Sequence, residues 1–282
     1  MTSPATPQDR EQTPGAGLLS FYESPIPIRP ATLGDAIASE WTKLRSVRAT
    51  VWTLGVMVVL MLTIGLGTAL LVAANDGNLA GEPSLALGFF GVVLGSICVI
   101  TLGVLTIGSE YGTGMIRTTL TACPSRARVL AAKAIVFFSL TFVVTTVTAA
   151  VVAGSQTLIL DGAPASAGQW LLSTVGIGLY VAALGLLSLG IGAIVRHSAG
   201  AITIMIGVVL LPLVLAPFMF AQDLRGLQRF LIEYSIPNQL AALYGAAMTE
   251  SGPSGWEPLP LMLGLAALAL GGAVAILNRR DV

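Results

Sequence analysis

Six times along this chain, charged residues disappear for more than twenty positions. The uncharged stretches run between Arg48 and Asp76, Glu82 and Glu110, Lys133 and Asp161, Asp161 and Arg196, Arg196 and Asp223, and Glu257 and Arg279. No polar face recurs within them at helical period. Val56 to Leu62 and Val208 to Leu215 are apolar throughout, which argues against amphipathic helices on a water-soluble core. A spanning helix needs about 20 such residues. On an insertion scale a central charge costs roughly 2.5–3.5 kcal/mol and a Leu, Ile, Val or Phe returns about 0.3–0.6, so one charge offsets about six good residues. The pattern predicts an all-α, polytopic membrane protein with six transmembrane helices, at about 51–74, 85–108, 134–158, 170–194, 200–221 and 259–278.

Other stretches carry different patterns. Residues 1–30 are rich in Pro, Ser, Thr and Gln and lack an apolar run, which predicts a disordered tail and not a signal peptide. Residues 31–282 form the membrane domain. From Thr32, an expected N-cap, Leu33, Ile37, Trp41, Leu44 and Val47 recur at helical spacing. That suits an amphipathic elbow helix lying on the membrane surface before the first span; a plain basic flank is the alternative. Between the fifth and sixth spans, residues 223–257 hold Leu227, Phe230, Leu231 and Tyr234 at helical spacing, then Pro237-Asn238, then an uncharged run from Gln239 to Met248 that is too short to span. The expectation is two helices broken at Pro237-Asn238, with Tyr234, Pro237, Asn238 and Gln239 as outer gate candidates; the alternative is an amphipathic surface hairpin without a gating role.

Composition agrees with the pattern: 55% hydrophobic and 10% charged residues, against about 25% charged in soluble domains, and a mean hydropathy of +0.86. Basic residues set the orientation. Lys43, Arg45, Arg48, Arg117, Arg126, Arg128, Lys133, Arg196, Arg279 and Arg280 fall on one side, and only Arg225 and Arg229 on the other. The positive-inside rule places both termini in the cytoplasm and the chain in the plasma (inner) membrane. Cys98 and Cys123 have no metal-ligand or disulfide spacing.

The cytosolic pieces are too small for a catalytic domain. Neither lysine, Lys43 or Lys133, closes a G-x-x-x-x-G-K-[ST] phosphate loop. The spans hold no Asp, Glu, Lys or Arg, which disfavours proton coupling. These features point away from an enzyme, from a bound cofactor or metal and from nucleic acid. Thr145, Thr146, Thr148, Gln156 and Ser188 are expected to join helices, and the small faces at Gly91, Gly95, Gly178, Gly185 and Gly264 to pack within one subunit. Pro212 and Pro217 should bend the fifth span.

Between the second and third spans, residues 109–133 include Met115, Ile116, Leu120 and Ala122, which share one side of a short helix starting near Thr113 and ending at Pro124. A solvated loop is the alternative. The run Ser39-Glu40-Trp41-Thr42-Lys43-Leu44-Arg45-Ser46, together with Glu110-Tyr111-Gly112-Thr113-Gly114-Met115-Ile116-Arg117, Pro124-Ser125-Arg126 and Ala132-Lys133, resembles the ABC-2 type permeases, the membrane subunits of ATP-binding-cassette exporters. The resemblance covers Leu33 to the C-terminus and departs from the family pattern at Met115-Ile116. It implies an elbow helix over 33–47 carrying Glu40, Trp41, Lys43, Leu44 and Arg45. It also implies a coupling helix over 113–122 that docks on a separate ATPase subunit through Glu110, Met115, Ile116, Arg117, Leu120 and Arg126, with Glu110 and Arg117 as the charged pair at that interface. Two permease copies, or one and a paralogue, would enclose the pathway in the lipid bilayer, and Mg-ATP would be bound by the partner. An ATP-independent channel or carrier and a membrane anchor are the rival readings.

Overall fold

The computed structural model describes residues 32–75, 84–123, 125–160, 165–219 and 221–279. The predicted tail and Pro124 lie outside the described residues. Among these the chain is all helix. Six helical stretches are long and apolar enough to cross a membrane: Arg48–Ala74, Ser84–Gly112, Arg126–Ile159, Ala167–Val195, Ser198–Phe218 and Pro258–Arg279. The protein is a multi-pass membrane protein.

Helix α1 (Leu33–Ser46) begins in a capping box: Asp35 N donates to Thr32 Oγ1 at 3.2 Å and Thr32 N to Asp35 Oδ2 at 2.9 Å. The reciprocal bonds occupy two of the N–H groups that every helix start leaves unpaired. A break at Val47 turns the chain into α2 (Arg48–Ala74), the first span. The second is α3 (Phe89–Gly112), entered through a 3₁₀ turn. Gly114, at φ 73°, then lets the chain reverse into the short α4 (Met115–Ala122); this left-handed conformation is open to glycine at little cost. Thus α4 starts two residues later than the periodicity predicts.

Helix α5 (Arg126–Ile159) has 34 residues. It starts eight residues before the predicted third span, so 126–133 belong to a membrane helix and not to a loop. The fourth span joins α6 (Ala167–Leu171) to α7 (Ile177–Val195) through a π turn at Leu172–Gly176. It is the most enclosed of the six and packs against α3, α5 and the sixth span. Gly103 and Gly185 allow the α3–α7 approach: a Cβ on Gly103 would lie 2.5 Å from the Gly185 carbonyl oxygen. Gly91 and Gly95 likewise meet Met61 of α2, whereas nothing lies within 4 Å of a Cβ placed on Gly264.

The fifth span is α8 (Ser198–Leu215), with Pro212 inside the helix; Pro217 falls in the following 3₁₀ turn, outside it. Polar side chains join helices less often than expected. Gln156 Nε2 reaches the Gly65 carbonyl at 3.2 Å, but Thr148 and Ser188 donate to carbonyls of their own helices.

Beyond α8 come α9 (Arg225–Glu233) and α10 (Ile236–Leu243), then the sixth span, α11 (Pro258–Arg279). The break between α9 and α10 falls at Tyr234-Ser235, not at Pro237-Asn238. Ser235 caps α10, with Pro237 in its first turn, where a missing N–H costs nothing because that position has no intrahelical acceptor. The helix ends at Leu243 instead of Met248.

Candidate functional site

Both lysines of the chain and two of its acids meet at one end of the bundle. Glu40 and Lys43 come from α1, Glu110 from the last turn of α3, and Lys133 from the early part of α5. Lys43 Nζ lies 2.7 Å from Glu40 Oε1 and 3.0 Å from Glu110 Oε1. Lys133 Nζ lies 2.6 Å from Glu40 Oε2 and 2.9 Å from Glu110 Oε1. A further bond at 3.3 Å runs from Lys43 to Thr119 Oγ1 of α4. Four helices therefore converge on a charge-balanced node.

Three members of the node are buried: Glu40 at 3% exposure, Glu110 at 2% and Lys133 at 1%. Ions taken out of water are tolerated only when paired and hydrogen-bonded, and removing one partner of such a pair costs about 3–5 kcal/mol. Glu110 also sits at the negative end of the α3 dipole, an unfavourable place for a carboxylate by about 0.3–1 kcal/mol. The two lysines offset both penalties. Burial alone would lower the pKa of Lys43, but Glu40 and Glu110 outweigh it and hold the ammonium above its ordinary value. One acceptor remains: among the described residues, Glu110 Oε2 has no hydrogen-bond partner.

This arrangement changes what the predicted site residues do. Glu110 and Ile116 are buried and face into the protein, so neither presents a docking contact here, and Glu110 pairs with lysines and not with Arg117. Exposed on α4 are Met115, Arg117, Thr118, Thr121 and Ala122, with Leu120 half-buried. Trp41 and Arg45 project from α1, while Leu44 packs inward beside Glu40. Arg126 donates to the Leu277 carbonyl near the end of α11, tying the start of α5 to the last span. The Arg196 guanidinium stacks 5.4 Å from the Tyr111 ring centroid, which holds the α7–α8 turn beside the end of α3.

A cavity of about 350 Å³ lies between α1 and α4, walled by Ser39, Glu40, Lys43, Met115 and Thr119. A second, of about 330 Å³, lies between the α1–α2 corner and α3 and has Glu40, Lys43, Glu110 and Lys133 as its charged wall. Glu40, Lys43 and Met115 line both.

At the opposite end, all eight residues of α10 are buried. Asn238 fixes it: Nδ2 donates to the Glu233 carbonyl at 2.9 Å, and Oδ1 accepts from Met248 N at 2.7 Å. Gln239 Nε2 donates to the Tyr234 carbonyl at 2.8 Å. Of the four gate candidates, Pro237, Asn238 and Gln239 are enclosed and Tyr234, which ends α9, is exposed, its ring tilted against Phe230 at 4.9 Å between centroids. The hairpin alternative fits α9, whose Leu227 and Phe230 are exposed, but not α10, which is inserted among α3, α7, α8 and α11.

Sequence reasoning missed the node because each charge was read as a flank of a separate span. The available signal was scarcity: in a chain with only two lysines, a lysine about two helical turns into α5 and followed by its long apolar run needs a carboxylate, and Glu40 and Glu110 border the neighbouring spans. The sequence matches no protein-family model and no curated relative.

Proposed function

We propose that this chain is the membrane subunit of an ATP-binding-cassette exporter, driven by a separate ATPase that docks on α1 and α4. The observation that carries this reading is the charge node. A force applied to α1 or α4 passes directly to α3 and α5, because Glu40, Lys43, Glu110 and Lys133 bond the four elements together with little intervening flexible chain. A lever must be stiff to transmit motion between packed elements, and buried charge pairs are costly to part. The resemblance of the elbow and of the Glu110–Arg117 segment to ABC-2 type permeases supports the same reading. Two copies would enclose the pathway, with the node end on the cytoplasmic side of a plasma membrane, a placement that the distribution of basic residues supports.

The contact with the ATPase then falls on the exposed side chains Met115, Arg117, Thr118 and Thr121, while Glu110 acts from behind as a positioning residue. Charge reversal, Arg117→Glu, tests this division: the ATPase detaches or hydrolyses ATP without transport, and the chain still inserts and folds. Normal transport-linked hydrolysis by that variant contradicts the assignment.

A second reading is favoured by the same buried ionisable residues. Glu110 and Lys133 lie within spanning helices, and such residues serve ion-coupled carriers. Transport by vesicles containing this chain alone, driven by an ion gradient, would select the carrier.

A further inference from the structure

On the outside of the bundle, α5 and α11 leave an apolar groove of about 340 Å³ between them, walled by Ala127, Ala131, Ala134 and Ile135 of α5 and by Gly271 and Val274 of α11. Small side chains on both walls keep it open, and a Cβ placed on Gly271 meets nothing within 4 Å. Ala127, Ala131, Ile135 and Gly271 are exposed on two helices that are long and apolar enough to span, so the groove opens sideways to lipid. From Ala127 to Ile135 it follows α5 for about 12 Å, most of the roughly 15 Å that one leaflet contributes to the hydrocarbon core.

The foot of the groove is basic. Ala127 stands between Arg126 and Arg128 in the first turn of α5. Arg126 donates to the Leu277 carbonyl, which brings the last turn of α11, with the exposed Asn278 and Arg279, to the same level. Residues 126–128 and 278–279 hold three arginines and no acid, and the sequence that follows, 280–282, adds Arg280 and Asp281, whose formal charges cancel. These two ends therefore carry a formal excess of three positive charges, whichever arginine Asp281 meets. Such a foot selects the occupant. Two copies of the chain in one bilayer share the direction of their spans, so a two-fold contact through this groove would set each basic foot against its own copy. An acyl chain meets no such repulsion, and guanidinium groups at the headgroup level suit an anionic phosphate.

We propose that this groove holds an acyl chain of a phospholipid with net negative charge, its phosphate resting on the arginine foot at the node end. The site is separate from the α1 and α4 face and requires no ATPase partner, so its test is one of binding alone. The full chain, in nanodiscs, is photolabelled with phosphatidylglycerol carrying a mid-chain diazirine, and in parallel with phosphatidylcholine carrying the same chain. The expected result is adducts concentrated in 127–135 and 270–274, about tenfold more abundant with phosphatidylglycerol, because a zwitterionic headgroup gains little from the foot. Raising NaCl from about 0.05 to about 0.5 M should bring that ratio near one. Ala131→Phe fills the groove from the α5 wall and Gly271→Leu from the α11 wall; each should remove these adducts while the melting temperature stays at that of the parent. Equal labelling by the two lipids, adducts spread evenly over the lipid-facing surface, or labelling indifferent to both fillings would overturn the proposal. So would copies joined through Ala131→Cys on mild oxidation in the native membrane, a link absent from the parent, which would assign the groove to a second copy.

Discussion

At the scale of single residues, the node makes sharp and opposite predictions for charges that look alike in the sequence. Lys133→Ala leaves two buried carboxylates sharing the single Lys43 ammonium and should destabilise by about 3–5 kcal/mol, seen as a large fall in melting temperature in detergent. Arg229→Ala removes a pair at 4.0 Å whose arginine is 73% exposed, and should stay within about 0.5 kcal/mol of the parent. For Lys43 the folded protein holds the pKa above the ordinary value of 10.5. A raised pKa means that folding favours the protonated form, so this contribution is whole below pH 10.5 and disappears as pH climbs through the higher folded value. Melting temperature followed from pH 9 to 12 should therefore fall at the alkaline end, and part of that fall should vanish in Lys43→Met. The identities of these residues were readable from the start, and Glu40, Lys43, Glu110 and Lys133 all fell within the motifs singled out. Their inward direction was not, because an exposed Trp41 stands next to a buried Glu40 and three residues before a buried Leu44, and only the neighbouring α5 decides which face is covered.

At the scale of elements, the spans were legible because exclusion of charge from hydrocarbon is a strong, local rule; five of the six predicted spans begin and end within four residues of the observed ones. The third did not, since Lys133 marks a boundary for a charge count but not for a helix whose lysine finds carboxylates. The same limit explains α10, where Pro237 reads as a breaker but occupies a first-turn position that tolerates it. Close packing gives the element-scale prediction. Gly103→Ala would bring a methyl within 2.5 Å of the Gly185 carbonyl, which forces α3 and α7 apart and should cost about 1–3 kcal/mol. Gly207→Ala, with nothing within 4 Å, should instead be neutral or stabilising by up to about 1 kcal/mol. Comparing the two melting temperatures checks whether the α3–α7 contact is as tight as the backbone suggests. For the inserted helix, Asn238→Ala removes the bonds to Glu233 and Met248 and leaves the carbonyl of the buried Glu233 without this donor. A loss of about 1–3 kcal/mol is expected, together with faster proteolysis between α9 and α11.

At the scale of the whole molecule, the bundle combines one lever-like end with one plugged end. At the first, four helices share a node of buried charge and α4 presents an exposed arginine. At the second, α10 is enclosed among spans by apolar packing and amide hydrogen bonds. Force applied at the node end would reach α3, which also contacts α10, so a single helix links the proposed input to the proposed exit. The most direct measurement is native mass spectrometry of the particle purified from its own membranes through a tag on this chain, with ATP hydrolysis assayed on the same sample. The exporter reading predicts two copies of this chain with two copies of a soluble P-loop ATPase, active in hydrolysis, and dissolution of that assembly by Arg117→Glu. A particle containing this chain without any ATPase, which still moves cargo against its gradient in vesicles, would contradict it.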